Sequence, residues 1–173
     1  MLLKDISFVI PVYNRPNEID ELLKSFSRLE GDKDFEIVII EDGSTEKCDH
    51  IVKSFSDLNI SYHLKSNSGP GDSRNYGMSV AKGKYYVILD SDVILPVNYN
   101  VLLIENLTND FSDCFGGVDD SHQSFNNFQK AVSYSMTSFI TTGHIRGGSK
   151  SKDFQPRRCL LYTSDAADER TSG

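Results

Sequence analysis

Cysteine is scarce in this chain: Cys48, Cys114 and Cys159 are the three in 173 residues, an odd count with no C-x-x-C spacing. That excludes a disulfide-framed scaffold and suits free thiols in a reducing compartment, so a cytoplasmic setting is expected. Basic charge is also short. With 18 Lys and Arg against 25 Asp and Glu, the formal net charge of −7 argues against a sequence-independent nucleic-acid binder, while local phosphate binding stays open. No apolar run approaches the 18 or so residues that a membrane span needs. The opening "MLLKDISFVIPVYN" is broken by Lys4 and Asp5, so neither a signal peptide nor a transmembrane segment is expected. Internal repeats and low-complexity blocks are lacking too. What remains is 38% hydrophobic and 25% charged, the balance of a soluble globular chain about one domain long. A chain of this size can bury roughly 70% of the surface that its unfolded form exposes.

Four short apolar segments, rich in β-branched and aromatic residues, read as buried strands: "ISFVIPV" (Ile6–Val12), "FEIVIIE" (Phe35–Glu41), "ISYHL" (Ile60–Leu64) and "YYVILD" (Tyr85–Asp90). Helical patterns lie between them. In "NEIDELLKSFSRL", Ile19, Leu22, Leu23, Phe26 and Leu29 share one helix face. A second stripe, Ile51, Val52, Phe55 and Leu58, predicts a helix from about Thr45 to Leu58, and a short third helix is expected over Asp72–Ala81. This alternation predicts an α/β, Rossmann-like domain, a mostly parallel sheet with helices on both faces. Ligands of such sheets sit beyond the carboxyl ends of the strands, so the residues following each strand are the candidates for function.

After the first strand comes "PVYNRP". Pro11 would cost a central strand one ladder hydrogen bond, so the strand is expected to end there and offer the backbone of Val12 and Tyr13 to a flat base; a plain strand-to-helix turn is the alternative. After the second strand, "EDGST" supplies a glycine turn and a Ser or Thr helix cap, and Asp42 can accept from a base N–H or a ribose hydroxyl or simply face water. The stretch "SGPGDSRNYG" opens the third helix with Arg74 in its first turn, where a helix N-terminus and a guanidinium favour phosphate, or where Arg74 merely lines an exposed face. A G-x-G-x-x-G fingerprint after the first strand is missing, which counts against a nicotinamide enzyme.

"DSD" ends the fourth strand. Carboxylates carried into an apolar core cost several kcal/mol each unless paired, so the chain here either turns out to solvent or holds a cation. In extended geometry residues two apart share a side, which would aim Asp90 and Asp92 at one site. A hard divalent cation, Mg²⁺ or Mn²⁺, takes one or two carboxylates plus phosphate oxygens, matching such a pair at the mouth of a nucleotide crevice.

Together, "ISFVIPVYNRP", "FEIVIIEDGST" and "NSGPGDSRNYGMSVAKGKYYVILDSDV" resemble the donor-binding half of a family 2 glycosyltransferase of the GT-A fold, over about Ile6 to Pro96. The resemblance implies an inverting, metal-dependent transfer of a sugar from a nucleoside diphosphate sugar, a UDP-sugar among the candidates, to a glycan or lipid-linked acceptor, in bacterial polysaccharide synthesis. It implies that Pro11, Val12, Tyr13 and Asp42 contact the base, that Arg74 places the nucleotide, and that Asp90 touches the ribose or sugar. Ser91 between the acids joins the substrate-binding set. Asp92, with Asp90, would hold the metal on the diphosphate. Such an enzyme works in the cytoplasm or peripherally at the inner face of the membrane.

Downstream, "SFNNFQKAVSYSMTSFITTGHIRGGSKSKDFQPR" resembles the region linking donor and acceptor halves. There the stripe of Phe128, Val132, Met136 and Phe139 reads as core, while His144, Arg146 and Arg157 have no assigned role. Asp119 and Asp120 read as a loop or an acceptor-side edge rather than as the base, and the general base is expected beyond Arg158. The last stretch, from "CLLYTSDAADE" on, resembles translated sequencing adapter, so residues 1–158 are expected to form a truncated nucleotide-sugar-binding domain and 159–173 a non-native tail. Two other readings are a nucleotide-sugar-binding fragment without catalysis and a sugar nucleotidyltransferase, which would normally carry a Gly-rich basic loop where "PVYNRP" stands.

Overall fold

The computed structural model describes residues 2–109, 111 and 113. Expectations that fall on Cys114, Asp119, Asp120, the Phe128–Phe139 stripe, His144, Arg146, Arg157 and the 159–173 tail lie outside the described residues. In chain order the elements are β1 (Ile6–Val12), α1 (Pro16–Ser27), β2 (Glu36–Asp42), α2 (Asp49–Val52), β3 (Ile60–Lys65), α3 (Pro70–Val80), β4 (Tyr85–Ile88) and α4 (Tyr99–Asn109). The strands form one sheet in the order β3-β2-β1-β4, and every neighbouring pair is parallel. The expected Rossmann-like α/β layout is what the chain adopts.

Strands β1 and β2 hold the middle of the sheet because their side chains are apolar on both faces. All of β2 is buried, and so is β1 apart from the half-buried Pro11. Alternation along the strands then assigns the faces. Ile6, Phe8, Ile10 and Val12 with Ile37 and Ile39 meet α1 and α4, whose Leu22, Phe26, Leu103 and Leu107 belong to the same core. Phe8 stands at its centre, edge-on to Phe26 at 5.0 Å and to Phe35 at 5.1 Å between ring centroids. Burying a ring of this size stabilises the fold by about 1.5–3 kcal/mol. On the other face Val9, Val38 and Ile40 pack under α3 with Met78, Val80 and Ala81.

Helix α3 lies close to the sheet because Gly77 has no side chain. A Cβ there would stand 2.4 Å from Val9 Cγ1 and 3.2 Å from Ile40 Cγ1. Both are short stems of β-branched residues in the central strands and have little room to yield. We therefore expect Gly77→Val to destabilise the protein by about 1–3 kcal/mol through overpacking. A urea midpoint equal to that of the parent chain would contradict this contact.

The structure alters the expected elements in four places. The second helix is a single turn, Asp49–Val52, followed by non-helical turns, yet Ile51, Val52, Phe55 and Leu58 still meet the core. An apolar stripe fixes which residues go inward, and a run of turns meets that demand as well as a helix does. Strand β1 does not stop at Pro11: the pairs Pro11↔Ile40 and Val12↔Glu41 continue the ladder to β2. Proline is tolerated because the Val9 carbonyl faces β4, where it accepts the Leu89 N–H at 3.1 Å. Pro11 shares that side, and the β4 ladder has already ended at Val9↔Ile88. Strand β4 in turn ends at Ile88, two residues short of Asp90. Finally, α4 forms in "YNVLLIENLTN", where no helix was expected.

The strand order places the candidate site. From β1 the chain steps outward to β2 and β3, then returns through α3 to the far side of β1 as β4. The order reverses between β1 and β4, and their carboxyl ends frame the crevice where open α/β sheets take ligands.

Candidate functional site

Three loops meet at the carboxyl end of the sheet, and buried polar groups hold them together. Beyond β1, Tyr13 is half exposed and Asn14 takes a left-handed φ of 53°. Asparagine tolerates that conformation because its side chain bonds locally. Here Asn14 Oδ1 accepts from Thr45 N–H at 2.8 Å, Thr45 Oγ1 at 3.0 Å and Glu46 N–H at 3.1 Å, while the Asn14 N–H donates to Ser44 Oγ at 2.8 Å. The loops after β1 and β2 are thereby laced together. Ser44 in turn donates to Glu41, a fully buried carboxylate that also accepts from Cys48 N–H at 3.0 Å, Cys48 Sγ at 3.1 Å and Tyr62 OH at 2.9 Å. Burial, then the Glu41 carboxylate, pushes both the Cys48 thiol and the Tyr62 phenol upward, so both stay protonated as donors. Cys48 is consequently an inert structural thiol.

Asp42, the next residue, organises the loop after β3. It is 4% exposed, and its carboxylate accepts from Lys65 Nζ at 2.7 Å and from the N–H groups of Ser68 and Gly69, each at 2.9 Å. Asn67 Nδ2 donates to the Asp42 carbonyl at 3.0 Å. Between them Gly43 sits at φ 72°, where a Cβ would meet Asn67 N at 2.6 Å. Lys65 also reaches Asp72 Oδ2 at 3.1 Å. Burial disfavours the charge on Asp42, but Lys65 and the two N–H donors outweigh it and hold its pKa below the ordinary 3.8.

A depressed carboxylate adds stability above its unfolded pKa and loses it as pH falls through the folded value. Thermal stability should therefore drop as pH is lowered below about 4. Asp42→Asn, which cannot ionise, should flatten that slope. Equal slopes for parent and variant in a pH series of melting curves would remove Asp42 from the linkage.

The acids after β4 do not lie in a strand. Asp90 to Val93 is a tight turn, closed by Val93 N–H to the Asp90 carbonyl at 3.4 Å, so the expected same-side extended geometry does not apply. The turn has another effect. Ser91 is buried at 7% exposure, whereas the side chains of Asp90 and Asp92 are 65% and 59% exposed. Each acid meets a different arginine: Arg74 Nη2 of α3 reaches Asp90 Oδ1 at 2.7 Å, and Arg15 Nη1, just before α1, reaches Asp92 Oδ2 at 3.4 Å. The crevice mouth is thus lined by two acid–base pairs.

Of the expected residues, Arg74 and Asp90 are brought into direct contact, with Asp92 in the same turn. Pro11 and Val12 end β1, with Val12 buried and paired to Glu41, and Tyr13 follows them. Asp42 is engaged by the loop after β3. Sequence reasoning passed over Asn14, Arg15, Glu41, Ser44 and Lys65. Glu41-Asp42 carried the nearest signal, two adjacent acids at a strand end needing donors, and only Asp42 was taken up.

The acids of this turn do not by themselves make a complete cation cage. Among the described residues no group of three or more His, Cys, Asp or Glu gathers, so a self-sufficient cage is absent there. Two exposed carboxylates instead match an ion that brings phosphate oxygens and water as its other ligands.

The model for Glycosyl transferase family 2 matches residues 7–169, a span that enters the 159–173 segment expected to be a non-native tail. An uncharacterized glycosyltransferase of Rickettsia conorii is 46% identical over 88 residues, which are 50% of this chain and 14% of that protein. The poly(ribitol-phosphate) beta-N-acetylglucosaminyltransferase TarS of Staphylococcus aureus is 37% identical over 90 residues, 50% of this chain and 16% of that one. The alignments thus span only a small part of these relatives' length. The crystal structure of S. aureus TarS 1-349 in complex with UDP superposes with a TM-score of 0.59 at 26% identity, covering 72% of this chain and 39% of that one. With the parallel sheet and the acidic turn at its reversal point, the match over residues 7–169 establishes that this chain belongs to glycosyl transferase family 2.

Proposed function

We propose that this chain carries the donor site of an enzyme that moves a sugar from a nucleoside diphosphate to a glycan or lipid-linked acceptor, with inversion and with a divalent cation. Carrying this reading is the joining of Asp90 to Arg74 in the turn after β4, where the strand order reverses. The similar TarS structure holds UDP, which makes a uridine nucleotide the first candidate.

Each residue has a task. The end of β1 at Pro11 and Val12, with the exposed ring of Tyr13, would offer a surface for the base, and Asp42 would brace it through the loop that it clamps. Arg74, whose side chain is only 15% exposed, carries a fixed positive charge toward the diphosphate, and Asp90 orients that guanidinium while facing the ribose or sugar. Asp92, with Asp90, would hold Mg²⁺ or Mn²⁺. Bound there, the ion would stabilise negative charge on the departing nucleoside diphosphate as a Lewis acid. Inversion requires a carboxylate base for the acceptor hydroxyl, and that base is assigned to the chain beyond Arg158.

No helix among the described residues is long and apolar enough to cross a membrane. A nucleotide donor and a lipid-linked acceptor would meet in the cytoplasm, at the inner face of the membrane. Calorimetric titration of the 173-residue chain with UDP, with and without Mn²⁺, tests the reading. Saturable heat from UDP that strengthens when Mn²⁺ is present supports a donor site, and no heat with both present rejects it.

A further inference from the structure

Arg15 and Asp92 stand on opposite banks of the crevice. Arg15 caps α1 just beyond β1, and Asp92 lies in the turn beyond β4, so their contact bridges the point where the strand order reverses. The two arginines at this mouth are held differently. Arg74 is 15% exposed and bonds Asp90 at 2.7 Å, whereas Arg15 is 50% exposed and reaches Asp92 only at 3.4 Å, with Glu18 Oε1 in the first turn of α1 as a further partner at 3.9 Å. An exposed, stretched ion pair of this kind contributes little to stability. It opens easily.

The charges have a second consequence. A cation approaching Asp92 alone finds that carboxylate already paired, and must displace a guanidinium whose other acidic partner, Glu18, stands at 3.9 Å. A diphosphate changes the balance, because its oxygens accept from a guanidinium at least as well as a carboxylate does.

We propose that Arg15 is an exchange latch of the donor site: it pairs with Asp92 while the crevice is empty and passes to the diphosphate as nucleotide and cation enter. Cation and nucleotide therefore bind with positive coupling, and Arg15 is a positioning residue that carries part of it. This inference rests on the donor-site reading above.

The test is a calorimetric cycle on the 173-residue chain and its Arg15→Gln variant: Mn²⁺ alone, UDP alone, and each in the presence of the other. In the parent chain each ligand should tighten the other by the same factor, about 10-fold, since coupling is reciprocal. In Arg15→Gln, Mn²⁺ alone should bind about 3-fold tighter, as Asp92 loses its counter-charge. UDP in the presence of Mn²⁺ should bind about 10-fold weaker, and the coupling should shrink. Arg15→Lys, which keeps the charge, should restore part of the coupling. If both affinities stay at parental values, or fall together in Arg15→Gln, the latch is overturned while the donor site stands. If the parent chain itself fails to bind UDP with Mn²⁺, the donor-site reading falls and takes the latch with it.

Discussion

Glu41→Leu should lower the melting temperature more than any surface change in this chain, because it strips a fully buried acceptor from the cluster of donors around it. The Cys48 N–H, the Ser44 hydroxyl and the Tyr62 hydroxyl all end on this one carboxylate. Each buried donor left without an acceptor costs about 1–3 kcal/mol. The hydroxyls can partly reorient, but the backbone N–H of Cys48 cannot. A net loss on the order of 3 kcal/mol corresponds to roughly 6–12 °C for a chain of this size. Glu41→Gln should fall between parent and Leu, since its amide oxygen still accepts while its NH₂ now confronts a donor. Thermal melts followed by circular dichroism decide it, and a Glu41→Leu curve within about 2 °C of the parent would show that these donors find other partners. The damage should also reach the site. Ser44 links Glu41 to Asn14, which sits between Tyr13 and Arg15, so releasing Ser44 loosens the loop that carries both.

Glu41 also shows where the sequence stopped being legible. The strands could be read because β1 and β2 are buried on both faces and so carry an uninterrupted apolar pattern. Parallel pairing and helices on both faces followed from the alternation of elements. Side-chain chemistry beyond the strand ends was visible as residue types, and Asp42, Arg74, Asp90 and Asp92 could be singled out one by one. Their partners could not, because Lys65 to Asp42 and Arg15 to Asp92 are contacts between residues 23 and 77 positions apart, fixed only by the crossovers. Local geometry failed differently. An apolar stripe predicted a long second helix where one turn suffices. The last two residues of "YYVILD" lie beyond β4 because β1 offers no ladder past Val9 on that side. "YNVLLIENLTN" escaped notice because its apolar residues surround the helix: Leu103 and Leu107 go inward while Val101 and Leu102 stay exposed.

The largest effect on binding is expected at Asp92. Asp92→Asn should leave the fold intact, since the side chain is 59% exposed and, among the described residues, makes one stretched contact, with Arg15. An amide keeps the shape and loses the charge, which a hard cation requires of its one or two protein ligands. With few protein ligands there is no reserve. Losing even an outer-shell partner of a metal ligand typically weakens metal binding about 10–100-fold, so removal of the ligand's own charge should weaken Mn²⁺ binding by about 100-fold or more and bring UDP affinity in the presence of Mn²⁺ down by about 10-fold, to its metal-free level. UDP binding in the absence of metal should change much less, because Arg74, Asp42 and the end of β1 are untouched. This contrast separates a metal ligand from a residue that merely shapes the pocket, for which both affinities would fall together. Asp90→Asn provides the comparison. Asp90 orients Arg74 across 2.7 Å, so that variant should weaken UDP both with and without Mn²⁺. If Asp92→Asn kept its metal-dependent affinity while Asp90→Asn lost it, the two acids would have to exchange roles, and the cation would belong on the Arg74 side of the turn.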